Sequence, residues 1–255
     1  MEKNKTAHSF GWRPDIPDQR DYPYSAILPP ISIPAKTDLR SFCSPVEDQG
    51  DLGSCTAQAL VATMEFLEIK DKTHFANLSR RFLYYNERVI EGTVPYDSGA
   101  YIRDGVKSMK NDGVCVETKY PYRIRSFATK PSSAAYSDAL EHQILEYRRI
   151  LTIKEMKTCL ADGYPFVFGF SVYESFESDI VATTGVVPMP GPRENLLGGH
   201  AVMAVGYDDS TERFLVRNSW GNHWGMKGYF TMPYAYLADR NLSDDFWTIR
   251  RGEKI

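Results

Sequence analysis

The sequence predicts an α+β protein of two lobes, and three observations support this. The first half reads mainly as helix, because apolar residues recur there at helical spacing in segments free of Gly and Pro. The second half reads mainly as strand: PFVFGFSVY, HAVMAVGYD, FLVRNSW and GYFTMP are short, β-rich and separated by turn residues. The change falls near 145–150, and such segregation of helices and strands along a chain belongs to the α+β class. At 255 residues the chain can bury a sizeable core, as one large domain or two small ones sharing an interface.

The elements follow in order. Residues 1–36 are rich in Pro, Asp and Tyr, with a Pro-Pro step, and read as an extended arm laid on the surface. From Thr56 to Lys70, Ala57, Leu60, Val61, Met64, Phe66 and Leu67 mark a helix. The segment before it, DQGDLGSC, is a tight loop with two glycines that feeds the helix N-terminus. A second helix is predicted over Ser79–Arg88, with Ser79 as N-cap. A third, over Ile102–Lys110, is ended by Asn111-Asp112-Gly113. YPY at 120–122 and KPSS at 130–133 mark loops, and Thr152–Ala161 is a short helix before Asp162-Gly163.

Composition excludes several classes of function. Apolar residues make up 42% and charged residues 25%, with a formal net charge of −3 and no long basic run. A nucleic-acid or anionic-membrane role therefore has no electrostatic footprint. No run of about 18 apolar residues predicts a membrane-spanning helix. The N-terminus lacks the apolar region of a secretory signal, so the expected location is cytoplasmic unless a signal was removed. The four cysteines, Cys43, Cys55, Cys115 and Cys159, form no CxxC pair, which argues against structural zinc. Cys43 and Cys115 are candidates for a disulfide, the alternative being two separate thiols. Cys159 has an apolar helical context and reads as buried.

Cys55 stands where chemistry is possible. A thiol becomes a good nucleophile as thiolate, and a helix N-terminus and a nearby imidazolium both favour that form. His200 can take the thiol proton and later deliver it to a leaving group near neutral pH. Asn218 can hold the imidazole through its side-chain carbonyl without adding charge. Gln49 can point its amide at a developing oxyanion together with the Cys55 backbone N–H. Singly, each has a plain structural explanation: a buried thiol, a core histidine, a turn cap, a solvated glutamine. His8, His74, His142 and His223 have no comparable setting.

Taken together the motifs resemble the papain family of cysteine peptidases. QGDLGSCTA resembles its nucleophile segment, GGHAVMAVGYD the segment around its histidine, and RNSWGNHWGMKGYF the one around its asparagine. His200 follows Cys55 by 145 residues and Asn218 follows His200 by 18, in the family's order, and the resemblance covers roughly residues 38–234. It implies a papain-like two-lobe fold, with a helical lobe, an antiparallel β-barrel-like lobe and a cleft between them. The arm would be residues 1–36 and the peptidase domain 37–255. Within that domain the helical lobe spans about 46–147, and the β lobe about 148–255 together with 37–45. The implied activity is cysteine endopeptidase through a Cys55 thioester, with no metal or organic cofactor and an extended polypeptide as substrate. An aminopeptidase, an acyl-transferring variant and a non-catalytic binding module are the alternatives.

The resemblance further implies that Trp220 shields the His200–Asn218 bond. It implies that Ser98, Gly99 and Ala100 form a wall for substrate backbone, and that Ile102 and Ala201 line an apolar side-chain pocket beside Gly199. The chain departs from the family at Leu52, usually a disulfide-forming Cys, and at Thr56, usually Trp. Gly199 replaces an Asp or Asn, and Ala100 replaces a second wall Gly. These departures suggest a microbial-type branch. The arm motif GWRPDIPDQRDY resembles the N-terminal stretch of some bacterial members. It is expected to strap the lobe surfaces or, more sharply, to enter the cleft and inhibit.

Overall fold

A computed structural model describes residues 8–72 and 75–251; His74 and the first seven residues of the arm lie outside it. Helix α1, Cys55–Lys70, runs through the middle of the molecule. It is buried from Cys55 to Glu68, polar residues included, where a surface helix would bury one stripe. Against it lie α2, Arg80–Ile90, and α3, Ile102–Asn111. Ser79 caps α2 as expected, its hydroxyl accepting from the Phe82 N–H, and Gly113 past the end of α3 adopts φ +73°. Helix α4, Ser133–Ala139, forms directly after the KPSS loop, with Ser132 as its cap.

The second half, joined by one short strand from the first, builds one antiparallel sheet. Its strands are β1 (Lys36–Asp38), β2 (Glu146–Arg149), β3 (Phe166–Tyr173), β4 (Leu196–Asp208), β5 (Arg213–Arg217), β6 (Tyr229–Pro233) and β7 (Ser243–Arg250). The order is β2-β7-β3-β4-β5-β6, with β1 paired to the far end of β4. The sheet is open: β2 and β6 end it without pairing to each other, so the expected barrel does not close. Helix α5, Ile153–Ala161, is capped by Thr152, and short helices α6, Asp179–Thr184, and α7, Tyr234–Ala238, flank the sheet. The central strand β4 is buried from His200 to Tyr207 and packs on α1. One apolar core therefore spans both halves, joining Leu60, Met64 and Phe66 of α1 to Phe168, Phe170 and Val205 of the sheet.

Two expectations need correction. Cys43 and Cys115 are not bridged, and all four cysteines are free thiols. Cys43 packs at the edge of the main core, whereas Cys115 sits in a separate cluster with Phe82, Tyr120, Ala135 and Ala139. Nor is the arm wholly a surface strap. Gly11, Trp12 and Asp15 are buried, while most residues from Ile16 to Ala35 lie partly or fully exposed.

The buried polar groups of α1 are paired. Glu65 accepts both terminal nitrogens of Arg80 at 2.7 and 2.6 Å, the Leu78 N–H at 3.0 Å and the Ser44 hydroxyl at 2.6 Å. The ion pair is almost wholly buried on both sides. Removing one partner of such a pair strands the other's charge away from water. Arg80→Met is expected to lower unfolding stability by about 3–5 kcal/mol in denaturant titration, and a loss no larger than that of an exposed ion pair would contradict it.

Candidate active site

The loop ahead of α1 is held from three sides. The Tyr122 hydroxyl donates to the Gln49 carbonyl at 2.9 Å and meets the Ser54 hydroxyl at 2.7 Å. Asp97 accepts the Gly53 N–H at 3.1 Å and, from the other side, the Tyr84 hydroxyl. The Gln49 N–H donates to the Ser219 carbonyl at 2.9 Å, and Asp48 bridges to Trp220 as a short antiparallel pair. The loop of the helical lobe is thus fastened by backbone to the segment carrying Asn218.

Cys55 is the first residue of α1 and is fully buried. Burial pushes its thiol up to about 11, a shift that the neighbouring backbone N–H groups of Ala201, Gly11 and Thr56 oppose. His200 stands on β4 one residue before Ala201. Its Nε2 donates to Asn218 Oδ1 at 2.8 Å, and the same oxygen accepts the Ser219 N–H at 2.9 Å. With both hydrogens on Asn218 Oδ1, the ring carries its proton on Nε2 and presents a lone pair at Nδ1. That Nδ1 is buried and has no hydrogen-bond partner among the described residues. Burial lowers the imidazole to about 4 against the raising effect of Asn218. Burial thus disfavours the charged form of each group. Trp220 stacks on the His200 ring at 4.9 Å between centroids and 28°.

Gln49 is fully buried, and its side chain is oriented at both ends. Oε1 accepts the Ser219 hydroxyl at 2.6 Å, while Nε2 donates to the Leu52 carbonyl at 2.9 Å and to the Ser9 carbonyl at 3.1 Å. The last partner belongs to the arm. The Gly11 carbonyl accepts the Ala100 N–H at 2.8 Å, the Arg13 N–H donates to the Ala100 carbonyl at 3.1 Å, and the Trp12 N–H donates to the Gly199 carbonyl at 2.9 Å. Residues 9–13 thus run between the two lobes, main chain paired to each. Phe10 meets His200 edge-on at 6.4 Å, and His8 stacks flat on Trp220 at 4.1 Å.

The other residues expected at the site are placed as follows. Ser98 turns inward, its hydroxyl donating to Thr93 Oγ1 at 2.9 Å, and Gly99 takes φ +67° where a Cβ would strike the Gly11 carbonyl. Ile102 and Ala201 are buried. His142 pairs with Glu68 at 2.6 Å, and His223 is exposed. Thr56, where Trp was the expected type, donates to Glu87 Oε2 at 2.8 Å; full burial holds the Glu87 carboxyl well above the usual carboxylate range. Sequence reasoning missed Ser219, Asp97 and Glu87, which hold the Gln49 side chain, the Gly53 N–H and the Thr56 hydroxyl. The one available signal was Ser219, inside the RNSWG motif. Among the described residues no His, Cys, Asp and Glu cluster could hold a metal, and no helix is long and apolar enough to cross a membrane.

The family model for papain family cysteine proteases matches residues 33–242. An uncharacterized peptidase C1-like protein of Acanthamoeba polyphaga mimivirus is 40% identical, over 98% of this chain and 89% of that protein. Cathepsin K of Gallus gallus is 29% identical over 84% of this chain and 64% of that protein. The crystal structure of xylellain, a cysteine protease from Xylella fastidiosa, superposes with a TM-score of 0.88 at 43% identity, covering 99% of this chain and all of that one. The chain belongs to the papain family and is a cysteine-type peptidase.

Proposed function

We propose that the chain is an endopeptidase that cleaves polypeptides bound in extended form between its lobes, and that its own N-terminal arm keeps it latent. The observation that supports this best is the path of residues 9–13. They occupy the cleft as an extended peptide would, with backbone bonds to Ala100 and Gly199 and a carbonyl on the Gln49 amide. In that seat the Gly11 backbone N–H lies beside the Cys55 sulfur.

When a substrate replaces the arm, His200 Nδ1 takes the Cys55 proton and the thiolate adds to the scissile carbonyl. The oxyanion is received by Gln49 Nε2, which loses its Ser9 partner, and by the Cys55 N–H at the helix start. Collapse breaks the C–N bond, and the imidazolium gives its proton to the leaving amine. Water, deprotonated by His200, then adds to the thioester; the C–S bond breaks, and the proton returns to the thiolate. Asn218 keeps the ring in the tautomer these transfers need.

Three outcomes follow. Gln49→Ala is expected to lower kcat/KM by about 10²–10³. Ser219→Ala, which only frees the Gln49 side chain, should lower it by about 10- to 100-fold while leaving the rate of Cys55 alkylation unchanged; equal loss of both would mark Ser219 as merely structural. The full chain carrying Phe10→Ala and Trp12→Ala should be alkylated at Cys55 by iodoacetamide at least about tenfold faster at pH 7 than the natural chain. An unchanged rate, with Cys55→Ala as the labelling control, would rule out latency.

A fourth outcome concerns pH. Asp15 of the arm is buried against Asp245, and burial followed by that second carboxylate pushes its carboxyl up to about 7, against the lowering effect of Trp247 and Arg103. Arg149 faces the same pair, at 3.6 Å from Asp15 and 2.9 Å from Asp245. In a released arm Asp15 would titrate near the ordinary value of about 3.9. Docking then takes up a proton between those values, so it is strongest in acid, weakens as pH rises from about 4 to 7, and is constant above. Hydrogen exchange at the Trp12 and Arg13 amides, corrected for intrinsic rate, should show this slope. Asp15→Asn should flatten it, and an equal slope in the variant would refute the assignment.

A further inference from the structure

Between α1 and β4, next to the segment that carries Asn218, lies a small cavity. It measures about 10 Å³, room for one water molecule and for nothing larger. Helix α1 meets it with Gln58, Ala59 and Ala62, and the two alanines leave space that longer side chains would fill. Arg80 of α2, Glu47 and Asn218 stand on its wall as well.

Two of these side chains bring a donor that no protein group receives. Asn218 spends Oδ1 on the His200 Nε2–H and the Ser219 N–H, at 2.8 and 2.9 Å. Its Nδ2 is buried and has no partner among the described residues. Arg80 gives Nη1 and Nη2 to Glu65, at 2.7 and 2.6 Å, and its Nε is likewise buried without a partner. Both residues are 3% exposed, so bulk water does not reach these donors. Buried N–H groups are nearly always met by protein or by ordered water. The same wall carries acceptors, the Gln58 side-chain oxygen and the Glu47 carboxylate. The Gln58 amide N–H points toward the Tyr122 hydroxyl, which leaves its oxygen for the cavity.

We propose that this cavity is the site of one water molecule that accepts from Asn218 Nδ2 and Arg80 Nε and donates to Gln58 and Glu47, and that Gln58 is thereby a positioning residue for the His200–Asn218 pair. Two lone pairs and two hydrogens match two donors and two acceptors. The water bears on which way the Asn218 amide faces. Without it, the orientation that serves His200 leaves Nδ2 unsatisfied, whereas the reversed amide would turn its oxygen toward Arg80. With it, both ends of the amide are satisfied in the orientation that holds the imidazole proton on Nε2. The inference rests on the reading that Asn218 orients His200.

The test is nuclear magnetic resonance on the full chain at pH 6. In the natural chain the Asn218 side-chain NH₂ should show a nuclear Overhauser contact to a long-lived bound water, and its absence overturns the site. The His200 Nε2–H should exchange with solvent at least about tenfold faster in Gln58→Met, which has the length of glutamine but no oxygen. Gln58→Glu keeps an acceptor and should stay within about twofold of the natural rate. Equal exchange in the natural chain and Gln58→Met overturns the positioning role. So does equal acceleration in Gln58→Met and Gln58→Glu, which would mark Gln58 as merely structural. Gln58→Leu replaces Gln58→Met if that chain does not fold, and if neither folds the water contact in the natural chain decides alone. None of these signals needs turnover. A chain that cuts no peptide would overturn the endopeptidase reading, while the water contact and the Nε2–H exchange would still decide this one.

Discussion

The seating of helix α1 on strand β4 is the constraint on which the rest of this molecule depends. It places Cys55, at the start of a helix buried as far as Glu68, beside Ala201 on the buried stretch of β4, and so brings Cys55 to the neighbour of His200, itself 145 positions along the chain from Cys55. A helix buried all round cannot leave polar side chains unpaired. Glu65 is met by Arg80, Ser44 and a backbone N–H, and Glu68 by His142. The Gln49–Ser219 backbone bond and the Asp48–Trp220 bridge then close the small gap between the helix start and the Asn218 segment. With helix and strand both fixed, thiol, imidazole and amide are set by rigid elements, which is where precise geometry is most cheaply held.

The arm uses this geometry from within. Its contacts are ordinary in kind: a few backbone bonds, stacked rings and a buried carboxyl pair. Their strength comes from tethering, because a segment joined to the domain a few tens of residues away sees its cleft at an effective concentration near millimolar. Excluding water favours the neutral thiol and imidazole over the charged pair. In the proposed latent state, residues 9–13 lie in the cleft and burial disfavours the charged form of both groups.

Much of this was legible in the residues. Helices α1, α2, α3 and α5 and strands β3 to β6 lie where spacing, caps and turn residues placed them, because their signals are local. Strand β7, with the run SDDFWTIR, was missed. Its first residues are charged or small, and it is a strand by virtue of lying between β2 and β3. Helix α4 was hidden behind a Pro-Ser loop signal that proved to be its own cap. The Cys43–Cys115 pairing could not be decided by sequence, since a disulfide depends on Cβ separation across the fold.

By itself the sequence determined the family and the α+β class, and it proposed Cys55, His200, Asn218 and Gln49 as the site, because each stands in a short motif whose residue types the chemistry requires. Only the tertiary structure decided what surrounds them: that Ser219 orients Gln49, that Glu87 lies under Thr56, that the sheet stays open, and that residues 9–13 thread the cleft with Trp12 on Asp245. The reason is physical. A motif records local backbone and the residues a reaction needs, whereas partners distant in sequence meet only when the packing of α1 against its neighbours and on β4 has brought both lobes, and the arm between them, into one core.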